Sequence, residues 1–439
     1  MSSLKYAGAQ TALQQSSLPA VAQHMFCLMT RSMSSDGFAF ADPLAPGNFS
    51  APGCIIAAPS YPADLTTVNQ DYVFNWARDA AVTAMELAAA SMPAEAGEDV
   101  QSLIDYVNFA NVCQNSGAPS IGHACYTIEG QPRPWSEQSD GPALQTMAIL
   151  QAFPQLDAPS QATAMAVIGT NMDYLLGAYQ SPTTNLWEEV QGYSFFARAV
   201  QLRCFQEIAG NTYGIVVPQA TADAMTWLEN ALQGHWNGTY YVSILSQQPI
   251  VPGYDPNIDI VMASVYGAIP YTDTKLLSTA AQLRHQWADS SSPSWYPINT
   301  ADQSRGIGPV LGRYPGDKYD GDTLDPVVGG HPWPLCTANF AELYYGLANS
   351  VTQTQTVPFD NLSEDFFSLI GINASTPWSE AVASLQSAGD RMLYAITFHS
   401  DHLELSEQFD GTSGYEKSVR DLTWSYAAFL SAVRAKTGS

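Results

Sequence analysis

Apolar residues recur along this chain at intervals of three and four. In SLIDYVNFANVC (102–113), Leu103, Tyr106, Val107 and Ala110 fall on one helical face, the i, i+3, i+4, i+7 stripe. DAMTWLENALQ (223–233) repeats the pattern with Met225, Leu228 and Leu232. Further helices are expected at 79–92, 141–153, 194–205, 274–287, 336–351, 378–396 and 420–435. Several of these carry small residues on most sides, as helices buried all round do. Long segments rich in Gly, Pro, Asp, Tyr and Trp separate them, and on a helical scaffold such loops carry function. A helix, loop, helix rhythm of about 30–45 residues suits a closed array of helical pairs. No linker or break in composition interrupts it, so residues 1–439 are expected to form one domain.

Composition narrows the chemistry. Hydrophobic residues make up 46% of the chain, enough for a sizeable core. Against 16 basic residues stand 41 acidic ones, a net charge of −25. Such a surface repels phosphate backbones and anionic membranes, so neither nucleic acid nor membrane is an expected partner. No apolar run reaches the roughly 18 residues of a membrane span. The N-terminus MSSLKYAGAQTALQQSS lacks a signal-peptide pattern. The expectation is a secreted protein from which a signal was removed, with an intracellular one as the alternative. None of the six cysteines forms a C-x-x-C. Cys113 and Cys125 are spaced to close a loop disulfide or to stand as free thiols. Asn48, Asn237, Asn361 and Asn373 head N-x-S/T sequons.

Nucleotide, zinc-protease and serine-elbow motifs are absent. His399 and His402 read as an ordinary loop pair, not as metal ligands. DKYDGDTLD (317–325) is an incomplete calcium loop without the full ligand spacing or the terminal glutamate. No cofactor or metal is expected. What remains is carboxylates beside aromatics and arginines in five loops: DYVFNWARD (71–79), PWSEQSDGPAL (134–144), LWEEV (186–190), GRYPGDKYDGDTLDPVVGGHPWPLCT (312–337) and SEQFDG (406–411). Aromatics stack on the C–H faces of sugars, and charged side chains grip their hydroxyls. Two carboxyls across a glycosidic bond supply acid and base. Ordinary caps and salt bridges are the plainer alternative. In LWEEV two glutamates are adjacent, and adjacent side chains do not share a face. Glu188 and Glu189 are therefore expected to do different jobs.

At these loops the sequence resembles the glucoamylases of glycoside hydrolase family 15. YVFNWARDAAV, PWSEQSDGPALQ, NLWEEVQGYSFFARAVQ, GRYPGDKY…HPWPLCT and SEQFDGTSGYEKSVRDLTWSYAAFL are similar to the family's blocks, in order, over residues 54–430. The resemblance implies an all-α fold, an (α/α)6 barrel of twelve helices in two concentric rings with functional loops at one end. It implies an inverting exo-hydrolase that releases β-glucose from non-reducing ends of α-1,4-glucans, acting as a monomer without a cofactor. A trehalase- or glucodextranase-like enzyme on the same barrel, or a non-catalytic sugar-binding relative, is the alternative. No starch-binding domain is expected, so soluble oligosaccharides, glycogen or dextrins are the implied targets.

Residue by residue, Glu188 matches the general acid and Glu407 the general base. Glu189 matches a glutamate that binds sugar in the next subsite. Arg78 and Asp79 match a pair gripping the terminal glucose. Tyr72 is expected to line the pocket, with Trp76 in the same loop and Trp187 beside the acid. Arg313, Asp317 and Trp333 match a substrate-holding loop. Trp76 and Trp333 could instead be core aromatics, Asp79 a mere partner for Arg78, and Cys336 a buried small hydrophobe. Two blocks depart from the family pattern. Trp135 lies one position nearer Asp140 than the pattern places it, and residues are added between Arg313 and Trp333. Both changes fall at the pocket rim.

Overall fold

The structure, a computed structural model, describes residues 18–43, 45–59, 72–90, 97–321 and 330–438, among which it holds fourteen α-helices. They are α1 (Leu18–Thr30), α2 (Ala77–Ala90), α3 (Gly97–Gln114), α4 (Asp140–Ala152), α5 (Ala158–Ala178), α6 (Phe195–Ala209) and α7 (Thr221–Gln233). There follow α8 (Asp259–Val265), α9 (Thr274–Ala288), α10 (Pro297–Arg305), α11 (Pro334–Thr354), α12 (Glu364–Ser368), α13 (Trp378–His399) and α14 (Thr423–Thr437).

Six of them close a ring. α2 packs on α4, α4 on α6, α6 on α8, α8 on α11, α11 on α14, and α14 back on α2. The other long helices lie outside it: α3 on α2, α5 on α4, α7 on α6, α9 on α8, α13 on α11 and α1 on α14. The chain thus alternates outer and inner around an (α/α)6 barrel, with α10 and α12 as short additions. Composition explains the division. Every residue of α8 is buried, as are the first fifteen of α11. Ala-rich α2 and α4 are small enough to take neighbours on all sides. Outer helices keep the one-faced stripe, as α7 does with Ala224, Leu228 and Leu232. Gly346 lies within α11 where a Cβ would come 2.4 Å from the Tyr271 ring, so the close approach requires glycine.

Nine of the twelve ring helices coincide with segments expected from the sequence. α1, α5 and α8 were not expected. α5 is 21 residues long, started by Asp157, whose carboxylate accepts the Ser160 N–H at 2.9 Å. Its stripe of Ala164, Val167, Ile168, Met172 and Leu175 is diluted by Ala, Gly and Thr. α8 is one short apolar run whose periodicity cannot be told from a strand's.

Because outer and inner helices alternate, the inner six run the same way. The loops that lead into them gather at one end of the barrel with the inner N-termini, where helix dipoles favour negative groups. Short antiparallel pairings stiffen these loops. β1 (Asn75–Trp76) pairs with β2 (Cys125–Tyr126). β4 (Gln191–Ser194) lies between β3 (Thr183–Thr184) and β5 (Ile244–Leu245). β6 (Gln408–Phe409) pairs with β7 (Glu416–Lys417).

All six cysteines are free thiols, so the loop disulfide does not form. Cys113 and Cys125 are instead buried in a small apolar cluster with Cys54, Phe74 and Ile128, where burial pushes the Cys113 thiol well up. Cys336 is fully buried, as a small hydrophobe would be. No described helix is long and apolar enough to cross a membrane.

Candidate active site

A cavity of about 300 Å³ opens at the end where the inner helices begin. The five loops singled out in the sequence all reach it. They contribute Tyr72, Trp76, Arg78 and Asp79 before and at the start of α2, Trp135 before α4, and Trp187, Glu188 and Glu189 before α6. Arg313, Tyr319 and Trp333 come from the segment before α11, and Glu407, Leu422 and Trp424 from the chain leading into α14.

Glu188 sits in one wall. Its Oε1 accepts the Trp76 indole N–H at 3.0 Å and the Gln138 amide at 3.0 Å, with Arg78 at 3.7 Å. Its Oε2 takes the Trp135 indole N–H, at 2.9 Å. Trp135 therefore does reach the pocket despite its altered spacing, standing edge-on to Trp76 at 5.4 Å. The backbone of Glu188 is left-handed, φ 66°, uncommon for a residue with a side chain. That turn sends its neighbour elsewhere. Glu189 pairs with Arg313 at 2.9 Å and accepts the Tyr314 hydroxyl at 2.8 Å. Burial raises the Glu189 carboxyl, and Arg313 and Tyr314 pull it back.

Glu407 is almost wholly buried, and three hydroxyls hold it. Tyr72 donates to Oε1 at 2.7 Å and Tyr319 to Oε2 at 3.1 Å, while Ser418 also donates to Oε2. The β6–β7 hairpin brings Ser418 there, fixed by the Glu407 N–H to the Val419 carbonyl at 2.9 Å. Gly321 lies alongside, where a Cβ would strike the Ser418 hydroxyl. Burial pushes the Glu407 carboxyl above its usual range, and the hydroxyls of Ser418, Tyr72 and Tyr319 oppose that push.

Two arginines also line the cavity. Arg78 binds Gln138 and, at 3.2 Å, Asp140, with its guanidinium 5.2 Å from the Trp424 ring centre. Asp79 faces it at 3.8 Å, and burial lifts its carboxyl to about 6 against the pull of Arg78. Arg313 makes a two-pronged pair with Asp317, at 2.8 and 2.7 Å, within reach of the rings of Trp187, Tyr319 and Trp333. Asp317 does not line the cavity. Its side chain is 1% exposed, with both carboxylate oxygens on Arg313. Trp333 and Trp76 both line the cavity, and the Trp333 indole N–H has no partner among the described residues.

Other sequence readings resolve more plainly. Asp320 pairs with His331 at 3.2 Å and Lys417 at 3.0 Å, while Asp322 and Asp325 lie outside the described residues. No group of three or more His, Cys, Asp or Glu suited to a metal occurs among the described residues. His399 binds buried Asp302 at 2.8 Å, and His402 is exposed beside Asp401. The sequence reading missed Gln138, Tyr319, Ser418 and Trp424. Tyr319 stood inside the segment read for its acidic residues, and Trp424 inside a predicted helix. Their chemistry was visible, but their direction was not.

The family model for glycosyl hydrolases family 15 matches residues 46–434. This chain belongs to glycosyl hydrolases family 15. Curated relatives agree with that placing. The probable glucoamylase of Schizosaccharomyces pombe is 26% identical over 411 residues, covering 87% of this chain and 84% of that protein. Glucoamylase 1 of Rhizopus oryzae is 27% identical over 418 residues, 86% of this chain but 66% of that protein. Among solved structures, the Hormoconis resinae glucoamylase superposes with a TM-score of 0.79 at 22% identity, over 96% of this chain and 73% of that one. At that identity the likeness speaks for the fold. The membership carries the expected barrel.

Proposed function

We propose that this family 15 protein is a glucan 1,4-α-glucosidase that removes single glucose units from non-reducing chain ends with inversion. The carrying observation is that Glu188 and Glu407 line one cavity without touching. Each is held by its own set of donors, Tyr72 among those of Glu407 and Trp76 among those of Glu188. Two separately held carboxyls on one cavity of about 300 Å³ supply the acid and the base that inverting hydrolysis calls for.

In this reading Oε2 of Glu188, which takes one donor among the described residues, delivers a proton to the glycosidic oxygen. The C1–O4 bond breaks as ring charge builds. Glu407 takes a proton from a water on the opposite face, and the water oxygen bonds to C1. The leaving chain departs with a free 4-hydroxyl, and glucose departs as the β-anomer. Both carboxyls then exchange protons with solvent. Arg78 and Asp79 grip the terminal glucose, and Glu189 with Arg313 holds the next unit. Trp135, Trp187 and Trp333 present faces to the sugar rings, and Asp317 keeps Arg313 in place. We extend the reading to a single catalytic unit working as a monomer in an acidic medium outside the cell. The acidic surface supports the medium, whereas the free cysteines give no support to an oxidising compartment.

The test is to incubate the protein with maltose, isomaltose, trehalose and maltoheptaose and follow anomeric protons by NMR. β-Glucose appearing first from maltose and maltoheptaose supports the reading. α-Glucose as first product, or preference for trehalose, overturns it.

A further inference from the structure

Glu188 is a non-glycine residue at φ 66°, and such a conformation persists only where its surroundings impose it. The residues that impose it lie outside the cavity. Asn185 accepts the N–H groups of Glu189 and Val190 on its side-chain oxygen, both at 3.0 Å. Its backbone carbonyl takes the Glu188 N–H at 2.9 Å, and its own N–H binds the Val190 carbonyl at 2.9 Å. Residues 185–190 are thus closed into a small loop around one buried amide. That amide's NH2 binds the hydroxyl of Tyr254.

Tyr254 and Asn257 belong to the chain just before α8, a stretch that no sequence motif marked. Asn257 accepts the Trp187 indole N–H at 3.0 Å. Its side-chain NH2 returns to the Tyr254 carbonyl at 3.3 Å. The Tyr254 ring lies 4.5 Å from that of Tyr314, whose hydroxyl binds Glu189. Asn185, Tyr254 and Asn257 are all buried, and none lines the cavity.

We propose that Asn185, Tyr254 and Asn257 form a bracket that sets the left-handed turn at Glu188 and so aims its carboxyl at the leaving oxygen. They are positioning residues, and the proposal rests on Glu188 being the acid. Misaiming the acid weakens protonation of a poor leaving group and leaves sugar binding in place. Displacing a reacting group by about 1 Å can cost about 100-fold in rate.

The experiment compares maltose with α-D-glucosyl fluoride, whose departure needs little protonation. Asn185→Ala is expected to lower kcat on maltose by roughly 10–100-fold with KM within about threefold, and to lower the fluoride rate far less. Asn185→Asp keeps both acceptor bonds and can take the Tyr254 hydroxyl as a third donor, so it should restore most of that loss. Tyr254→Phe keeps the ring stack and the volume, which guards against a folding defect in the alanine variant. It should show the same split in smaller measure. Equal losses on both substrates, or a maltose kcat within about twofold of the parent in Asn185→Ala and Tyr254→Phe, would overturn the bracket. Glu188→Gln run in parallel separates the two ideas. If it retains maltose activity, the acid assignment itself has failed; if it loses it while the bracket variants do not, only the bracket has.

Discussion

The ring of Tyr72 lies 5.9 Å from that of Trp76, and each of these two residues holds one of the facing carboxyls. Tyr72 donates its hydroxyl to Glu407, and Trp76 donates its indole N–H to Glu188. One short stretch, residues 72–76, therefore holds a donor to each of the two carboxyls.

Glu407 is the proposed base. Glu407→Gln keeps the shape but cannot act as a base, and its NH2 can only donate where one carboxylate oxygen accepted. Turnover of maltose should fall at least about 100-fold, the scale of general-base catalysis. Binding of a glucose-like inhibitor, measured by calorimetry, should persist. Turnover near the parent value would remove Glu407 from the mechanism.

Glu188 and Glu189 should fail differently, because their partners lie on different walls. Glu188→Gln should depress kcat for maltose and much less for glucosyl fluoride. Glu189→Gln removes the charge that pairs with Arg313 and should mainly raise KM for longer oligosaccharides. Swapped phenotypes would exchange the two assignments.

The acid limb of the pH–rate profile should report Glu407. Burial raises its carboxyl, and the bonds from Ser418, Tyr72 and Tyr319 lower it by favouring the charged form. Ser418→Ala removes one of them, so the carboxyl should titrate higher and activity should begin to fall at a higher pH. The alkaline limb should stay within a few tenths of a unit. Steady-state kcat from pH 3 to 8 decides it, and an acid limb moving down would contradict the assignment.

Stability should be greatest in mildly acidic solution. Burial lifts Asp259 to about 8, Glu342 to about 7 and Asp255 to about 6, from ordinary values of 3.8 or 4.5. For each, the folded state binds the proton more tightly than the unfolded chain. The stability they contribute is full below about pH 4 and is lost as pH rises through the folded values. Asp157 and Asp289 act oppositely, held down by Ser160 and Ser291, so their contribution fades as pH falls below the usual carboxylate range. Tm should therefore peak near pH 4–5 and decline towards pH 8. In Glu342→Gln that decline should be shallower. A Tm that rises between pH 5 and 8 would count against this account.

What the sequence determined by itself is local or nearly so. Helical periodicity is a property of a few neighbouring residues, and it located nine of the twelve ring helices. It passed over α5, whose apolar stripe is diluted by small residues, and α8, too short to show a period. The resemblance blocks picked out Glu188, Glu407 and both arginines because each block is contiguous. Tertiary structure decided how those blocks meet. Tyr72 and Glu407 are 335 positions apart and touch only because α14 closes the ring against α2. Asp317 was expected in a substrate-holding loop by its place in the sequence, and the fold turns its carboxylate onto Arg313 and the Tyr319 N–H. Tyr254 and Asn257, with no motif around them, came to brace the turn at Glu188. Direction and distance between loops depend on how twelve helices pack, and no interval along the chain encodes them.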